Sequence, residues 1–542
     1  MTSGNRLLRI GALCAALAVA RLPSAVPVAA ATSVLRIGMT TEPNSLNPLF
    51  SLNDYEGFVD RFVFDVLLTV DPSGRHFLPR LAAAVPTVQN GGISKDGLTL
   101  TFHLRRNVLW HDGAPFTSHD VAFSYAAIMN PANNTPNRRG YDQIRDIRTP
   151  DRYTVVIRLK RPYAPALSEL FGDAPPNAIL PAHVLEREHD LNRVDFNQQP
   201  VGTGPFRVVR WKRGDSIELE RNDRYYLGRP RIERISVRFV PDEATMINEL
   251  RTGELDLFAE GSVNAYGQLK RLPSLRAALV DVHAASNLLI NQTRPQFRDV
   301  RVRRAIAYAI DKRAIVERFT FGAATPATAD LPPFMWAYTP SVARYDYDPA
   351  RARRLLAQAG WTPGPDGIAT RLGQPLEAVL AFADNNATAR LISVQIQAYL
   401  RAIGIDAQLK GYNSAMMFAG YAAGGIYQDG RFDLAWYTMT LGIDPDSASR
   451  FSCGAAPPNG QNYSRYCSPE MDAAQADGRT HYDVPARRRA YARSQRLLAR
   501  DVPIVFVFWP KDVEVYTQRL RGFAPNPVIP SWNAQVWELS PG

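Results

Sequence analysis

The chain has 542 residues, 46% of them hydrophobic and 21% charged, and a formal charge of +11. This is ordinary globular composition at a length too great for one small core, so two or three domains are expected. The charge is scattered: the densest groups, Arg301/Arg303/Arg304, Arg351/Arg353/Arg354 and Arg487 to Arg489, fall on predicted helices and read as solvated faces, not as a basic stripe interleaved with aromatics, so nucleic acid is excluded as the expected partner.

In chain order, residues 1–31 read as a secretory signal. Arg6 and Arg9 form a basic start, Ile10 to Ala20 an apolar region, and Ala29-Ala30-Ala31 a small-residue cleavage site, with cleavage after Ala25 the competing choice. A span needs roughly 20 apolar residues and Arg21 interrupts this one. Cys14 follows Leu13, which is too bulky for a lipobox, so lipid anchoring is the minority reading and a periplasmic destination is expected.

Val34 to Met39 alternates apolar and polar residues as a strand, and Glu42 to Pro48 is a proline- and asparagine-rich turn. The clearest strand is Leu98 to Arg105, with Leu98, Leu100, Phe102 and Leu104 on one face. Similar stripes follow at Val155/Ile157/Leu159, Ile217/Leu219 and Ile235/Val237/Phe239. Helices are predicted over Ala244 to Gly253 and Arg303 to Ile310, then after Asp311, after Asp348-Pro349 with Gly360 as the stop, after Ser468-Pro469, and over Ala486 to Ala499. Ile504 to Trp509 reads as a buried strand. The mixture is α/β with several sheets, without repeats or a long linker, so contiguous domains with crossing strands are expected.

No zinc-protease, P-loop or nucleophile-elbow motif appears. Gly202-Thr203-Gly204 lacks the third glycine of a dinucleotide loop and reads as a tight turn. His103, His111 and His119 are evenly spaced but fall on a strand, a turn and a helix start, which is not a zinc template. No metal, cofactor or catalytic residue is expected, although an unmarked carboxylate pair depends on separation in space, which sequence does not give. Without Cys14, Cys453 and Cys467 are a lone pair in an oxidising compartment. A disulfide between them closes a loop of about 15 residues, worth about 3 kcal/mol; two free thiols are the alternative.

Three longer stretches carry a resemblance. They are Lys95 to Ser124 (KDGLTLTFHLRRNVLWHDGAPFTSHDVAFS), Val201 to Phe206 (VGTGPF) leading to Glu218 to Tyr226 (ELERNDRYY), and Arg298 to Ile315 (RDVRVRRAIAYAIDKRAI). Glu42 to Pro48, Phe432 to Ala435 and Asn462-Tyr463-Ser464 match more weakly. Together the chain resembles the family-5 extracellular solute-binding proteins, among them oligopeptide- and dipeptide-binding proteins. The resemblance implies a three-lobed periplasmic binding protein (class C, type II-like) with a hinged clamshell. Lobe I is expected at 32–65, 198–283 and 505–542, inserted lobe II at 66–197 and lobe III at 284–504. It also implies a non-enzymatic, monomeric substrate-binding subunit of an ABC importer, serving a membrane permease with a separate ATPase. Peptides are the leading cargo, a saccharide, opine or metal chelate the alternative, and a secreted hydrolase the more distant one.

In relatives the ligand is lined by the Glu42-to-Pro48 turn and the strand after Phe432-Asp433. The candidate ligand residues are therefore Glu42, Asn44, Tyr412, Trp436, Tyr437, Thr438, Met439, Thr440 and Asp444. Strand backbone binds an extended peptide whatever its side chains. Tyr412, Trp436 and Tyr437 offer aromatic contact with a polar handle, and are equally core residues by type. Peptide-binding relatives often carry an aspartate for the peptide amine at the position of Leu441 or Gly442. Asp444 is the nearest acid to replace it, and without one a buried ammonium is costly.

Overall fold

Val34–Met39 forms a strand as its alternation predicts, buried on both faces; a Cβ on Gly38 would stand 2.2 Å from Met246 Sδ. The structure, a computed structural model, describes Met1 and residues 33–540 apart from 52–53, 137 and 174–177. The predicted signal beyond Met1, including Cys14 and the cleavage site, lies outside the described residues.

This strand belongs to a mixed sheet of 12 strands. In one half it lies parallel between Arg234–Phe239 and Leu257–Gly261, with Ser216–Arg221 and Phe206–Lys212 completing the edge. In the other half Leu434–Thr440 lies between Ala284–Ile290 (antiparallel) and Glu377–Ala383 (parallel), with Asp406–Tyr412 beyond. Ile504–Thr517 joins the halves. Its first residues pair with Ala284–Ile290 and its last with Leu275–Asp281 and Leu257–Gly261. Only Val282 and His283 separate Leu275–Asp281 from Ala284–Ile290, so the chain crosses between halves at two adjacent points, 282–283 and 509–511.

The sequence stops this last strand at Trp509, yet it continues to Thr517 through Pro510. Proline lacks a ladder donor; here Pro510 faces Ala324 on a short flanking strand, and alternation resumes with Val513 and Val515.

Four hydrophobic clusters fill the molecule. The largest unites the first half of the sheet (Leu35, Ile37, Ile217, Val237) with the antiparallel sheet of Thr99–His103, Ile144–Asp151 and Thr154–Leu159, through Leu100, Phe102 and Ile157. A small cluster of Met246, Leu250, Val513 and Val515 lies under the same half. The second half has two clusters on opposite faces of its sheet, one with Leu288, Trp436 and Val505, the other with Leu289, Tyr437 and Phe506.

Helix starts follow the predicted caps. Asp311 accepts from Ala314 N at 3.0 Å, Asp348 from Arg351 N at 2.8 Å and Ser468 from Met471 N at 3.4 Å, each satisfying an amide that has no partner within its helix. The arginine groups are not uniformly solvated. Arg303 and Arg487 are 5% and 7% exposed. Arg303 donates to Asp501 O (2.9 and 2.7 Å), where helix Val484–Asp501 runs out of intrahelical donors.

Candidate functional site: an arginine-lined cleft between the two halves

A cleft of about 1040 Å³ opens between the halves. Val70, Phe77, Val85 to Gln89 and Leu167 form one wall. Met335, Trp336, Tyr338, Ile443 and the start of helix Val484–Asp501 form the other. The walls touch at defined places. Arg75 Nε donates to Phe334 O (2.7 Å), Tyr482 Oη to Tyr163 O (3.0 Å) and Gly97 O (3.3 Å), and Ala164 N to Arg479 O (2.8 Å).

Beyond that line lies a second hollow of about 560 Å³, floored by a charge cluster. Arg139 of the first wall is ion-paired with Glu169 of the same wall at 2.7 Å and with Asp446 of the facing wall at 3.3 Å; Arg479 reaches Asp446 at 3.3 Å. Tyr163 Oη donates to Glu169. Burial pushes the Glu169 carboxyl up to about 7, against the pull of Arg139 and Tyr163 and with the help of the Asp446 charge.

The residues expected from sequence fall in several environments. Asp444 lines the large cleft, but its carboxylate takes Arg487 Nη2 at 2.7 and 2.6 Å and is 8% exposed. The acid offered by the sequence as a partner for a peptide ammonium thus already has a counter-ion within its own wall. Glu42 accepts from Trp211 Nε1 (3.0 Å) and Gly214 N (3.1 Å), and Asn44 lines a separate polar hollow with Arg193 and Arg213. Trp436 packs on Phe508 in one core, whereas Tyr437 and Met439 are in the opposite core, with Tyr412 at its margin. Thr438 and Thr440 are exposed, Thr438 sharing a 2.8 Å hydrogen bond with Ser286 Oγ and the Thr440 carbonyl accepting from Arg450. The structure thus brings only Asp444 of the nine to the large cleft.

Sequence reasoning missed Arg75, Trp336, Tyr482 and the arginine pair Arg487-Arg488. The pair had a signal, a dense basic triplet, that was read as surface. Cys453 and Cys467 are bridged, with Cα atoms 4.4 Å apart, beside the second hollow. His111 is half-buried, accepting from Gly202 N at 3.1 Å and facing Gly204 O at 3.0 Å, and desolvation lowers its pKa to about 4; it fastens the Gly202-to-Gly204 turn. A Cβ on Gly202 would sit 1.8 Å from Val63 O, which explains the glycine. Among the described residues no group of His, Cys, Asp and Glu is placed to hold a metal ion, and no helix is long and apolar enough to cross a membrane.

Two halves of a mixed α/β body, joined by two adjacent crossings and facing each other over a cleft, define a clamshell binding protein. Residues 77–460 match the bacterial extracellular solute-binding proteins, family 5 Middle, and the chain belongs to that family of solute-binding proteins. It is 26% identical over 515 residues to the oligopeptide-binding protein AppA of Bacillus subtilis, covering 93% of this chain and 91% of that protein. It is 29% identical to the glutathione-binding protein GsiB of Salmonella choleraesuis, over 80% of this chain and 81% of the relative. Among solved structures, NikZ from Campylobacter jejuni in complex with Ni(L-His) superposes with a TM-score of 0.76 at 27% identity, covering 93% of this chain and 99% of that one.

Proposed function

We propose that this chain is the extracytoplasmic substrate-binding subunit of an ABC importer, capturing peptides in the cleft between its halves and delivering them to a membrane permease driven by a separate ATPase. The observation that carries this is the cleft itself. Its walls belong to halves joined at 282–283 and 509–511, and across the cleft they meet through hydrogen bonds, the Arg139–Asp446 ion pair and the packing of Tyr482 on the first half's core, contacts that a hinge motion makes and breaks. Ligand then shifts an open–closed equilibrium, because only the closed form offers both walls.

In this reading 32–65, 198–283 and 505–542 are lobe I, 66–197 lobe II and 284–504 lobe III. Residues 1–31 are a cleaved signal, and the protein works as a monomer that binds without catalysis. Oligopeptide and glutathione, the ligands in the relatives' names, support a peptide cargo. The Ni(L-His) bound by the Campylobacter neighbour, and the engaged state of Asp444, support a non-peptide solute as the second reading.

The test is mass spectrometry of small molecules released on denaturing protein purified from its native host. A heterogeneous set of short peptides is expected, and a single non-peptide species would move the function to the second reading. Scattering should show compaction when released ligand is restored to stripped protein; no compaction at saturation overturns the hinge.

A further inference from the structure

The cleft and the hollow beyond it are lined by seven arginines and four aspartates. Every one of those acids is engaged. Asp444 holds Arg487, Asp446 faces Arg139 and Arg479, Asp483 caps its helix through Ala486 N at 2.8 Å, and Asp142 accepts from Gln143 Nε2 at 2.5 Å. Four of the cations make no ion pair with a carboxylate: Arg138 and Arg161 of the hollow, which donate to backbone carbonyls and to Gln143 Oε1, and Arg75 and Arg488 of the cleft. Arg75 reaches across from one wall and Arg488 stands on the other, and both grip the same loop: Arg75 donates to Pro333 O and Phe334 O, Arg488 Nε to Trp336 O at 3.1 Å. Two guanidiniums are thus held within two residues of each other along one loop, their charge unmatched, at the lip of an apolar cleft. The nearby strand end, Leu441-Gly442-Ile443, carries no charge.

We propose that the cleft selects solutes bearing a carboxylate, docked by Arg75 and Arg488 against loop 333–336, and makes no demand for a free amine. This rests on the importer reading above and names the chemistry of its cargo. Arginine presents paired donors that match a carboxylate. The carbonyls of the loop fix the two side chains in advance, which reduces the ordering cost of binding. An ammonium brought to the same place meets two like charges, and Asp444, the cleft's buried acid, is already paired with Arg487.

The experiment uses the full mature protein, stripped of ligand, and calorimetry with a mixed tetrapeptide library in three forms: free, N-acetylated and C-amidated. Acetylation is expected to leave affinity within about threefold, and amidation to weaken it by about tenfold or more. Arg488→Gln and Arg75→Gln, at exposed positions that leave folding intact, should each weaken the free form by about tenfold and erase its advantage over the amide. Equal binding of amide and free acid, or loss of binding on acetylation, overturns the proposal. If no form binds, the peptide reading fails, and the native ligand released on denaturing decides. A carboxylate-bearing species whose affinity falls in Arg488→Gln sustains the proposal, and a neutral or cationic one overturns it.

Discussion

Asp65, which is buried, and Glu169, which is half-buried, both face an arginine and a tyrosine hydroxyl, yet desolvation is overcome at one and prevails at the other. Asp65 lies within the first half. Arg80 meets it through two nitrogens at 2.9 and 3.2 Å, and Tyr225 and Tyr226 donate to it at 2.8 and 2.6 Å. Burial alone would push its carboxyl up, but these partners outweigh burial and hold it below its usual range. Glu169 lies at the cleft and must share Arg139 with Asp446 of the opposite wall, so its carboxyl is left near 7. The first cluster is a permanent joint inside one continuous core. The second is incompletely compensated, and half of it departs when the cleft opens. A buried charge pair is a good fastener only where neither partner is shared; at a moving interface the shared arrangement keeps closure reversible.

The largest effect expected from breaking this contrast is at the joint. Asp65→Ala leaves Arg80 buried without its counter-ion, and denaturant unfolding should show a loss of about 3–5 kcal/mol. A change under about 1 kcal/mol would mean that the two tyrosines and water satisfy Arg80 unaided. A smaller and different effect is expected at the latch. Asp446→Asn keeps the oxygen that caps Ala448 N but removes the charge that bridges the walls. Ligand affinity should fall by about tenfold with an opened scattering profile, while unfolding moves less than for Asp65→Ala.

The smallest effect is a pH dependence. In the closed form Glu169 holds its proton up to about 7, above the ordinary value of 4.5 that solvent access restores on opening. Closure therefore takes up a proton in that window. Its contribution is fully present below the lower value and is lost as pH rises through the upper one. Ligand affinity should decline from pH 5 to pH 8 and the slope should flatten in Glu169→Gln. An unchanged slope in that variant assigns the effect elsewhere. Asp60 and Asp330, also raised by burial, to about 7 and about 6, each lie within one half and affect unfolding, not closure.

What was legible in the sequence were the features fixed by near neighbours. The alternation at Val34–Met39 and Thr99–His103 and the caps at Asp311, Asp348 and Ser468 lie within a few residues of what they bind. The helix Ala387–Arg401 had the same kind of signal, Asn386 accepting from Ala389 N with Ile392, Ile396 and Leu400 on one face, and was passed over. The cleft was not legible, because its walls are assembled from residues near 75, 86, 336 and 487, and nothing local marks them as neighbours. Asp444 illustrates the limit: its position in the loop suggested a ligand contact, and only the fold reveals the arginine 43 residues away that claims it.

The strand Ile504–Thr517 has a consequence for the order in which the protein comes together. It is a central strand for both halves, and Leu520 and Trp537 complete the largest core. During synthesis neither half-sheet finds its middle partner until the last tenth of the chain has been made. Contacts this distant along the chain form slowly. The final strand is therefore the piece on which the completion of both half-sheets waits.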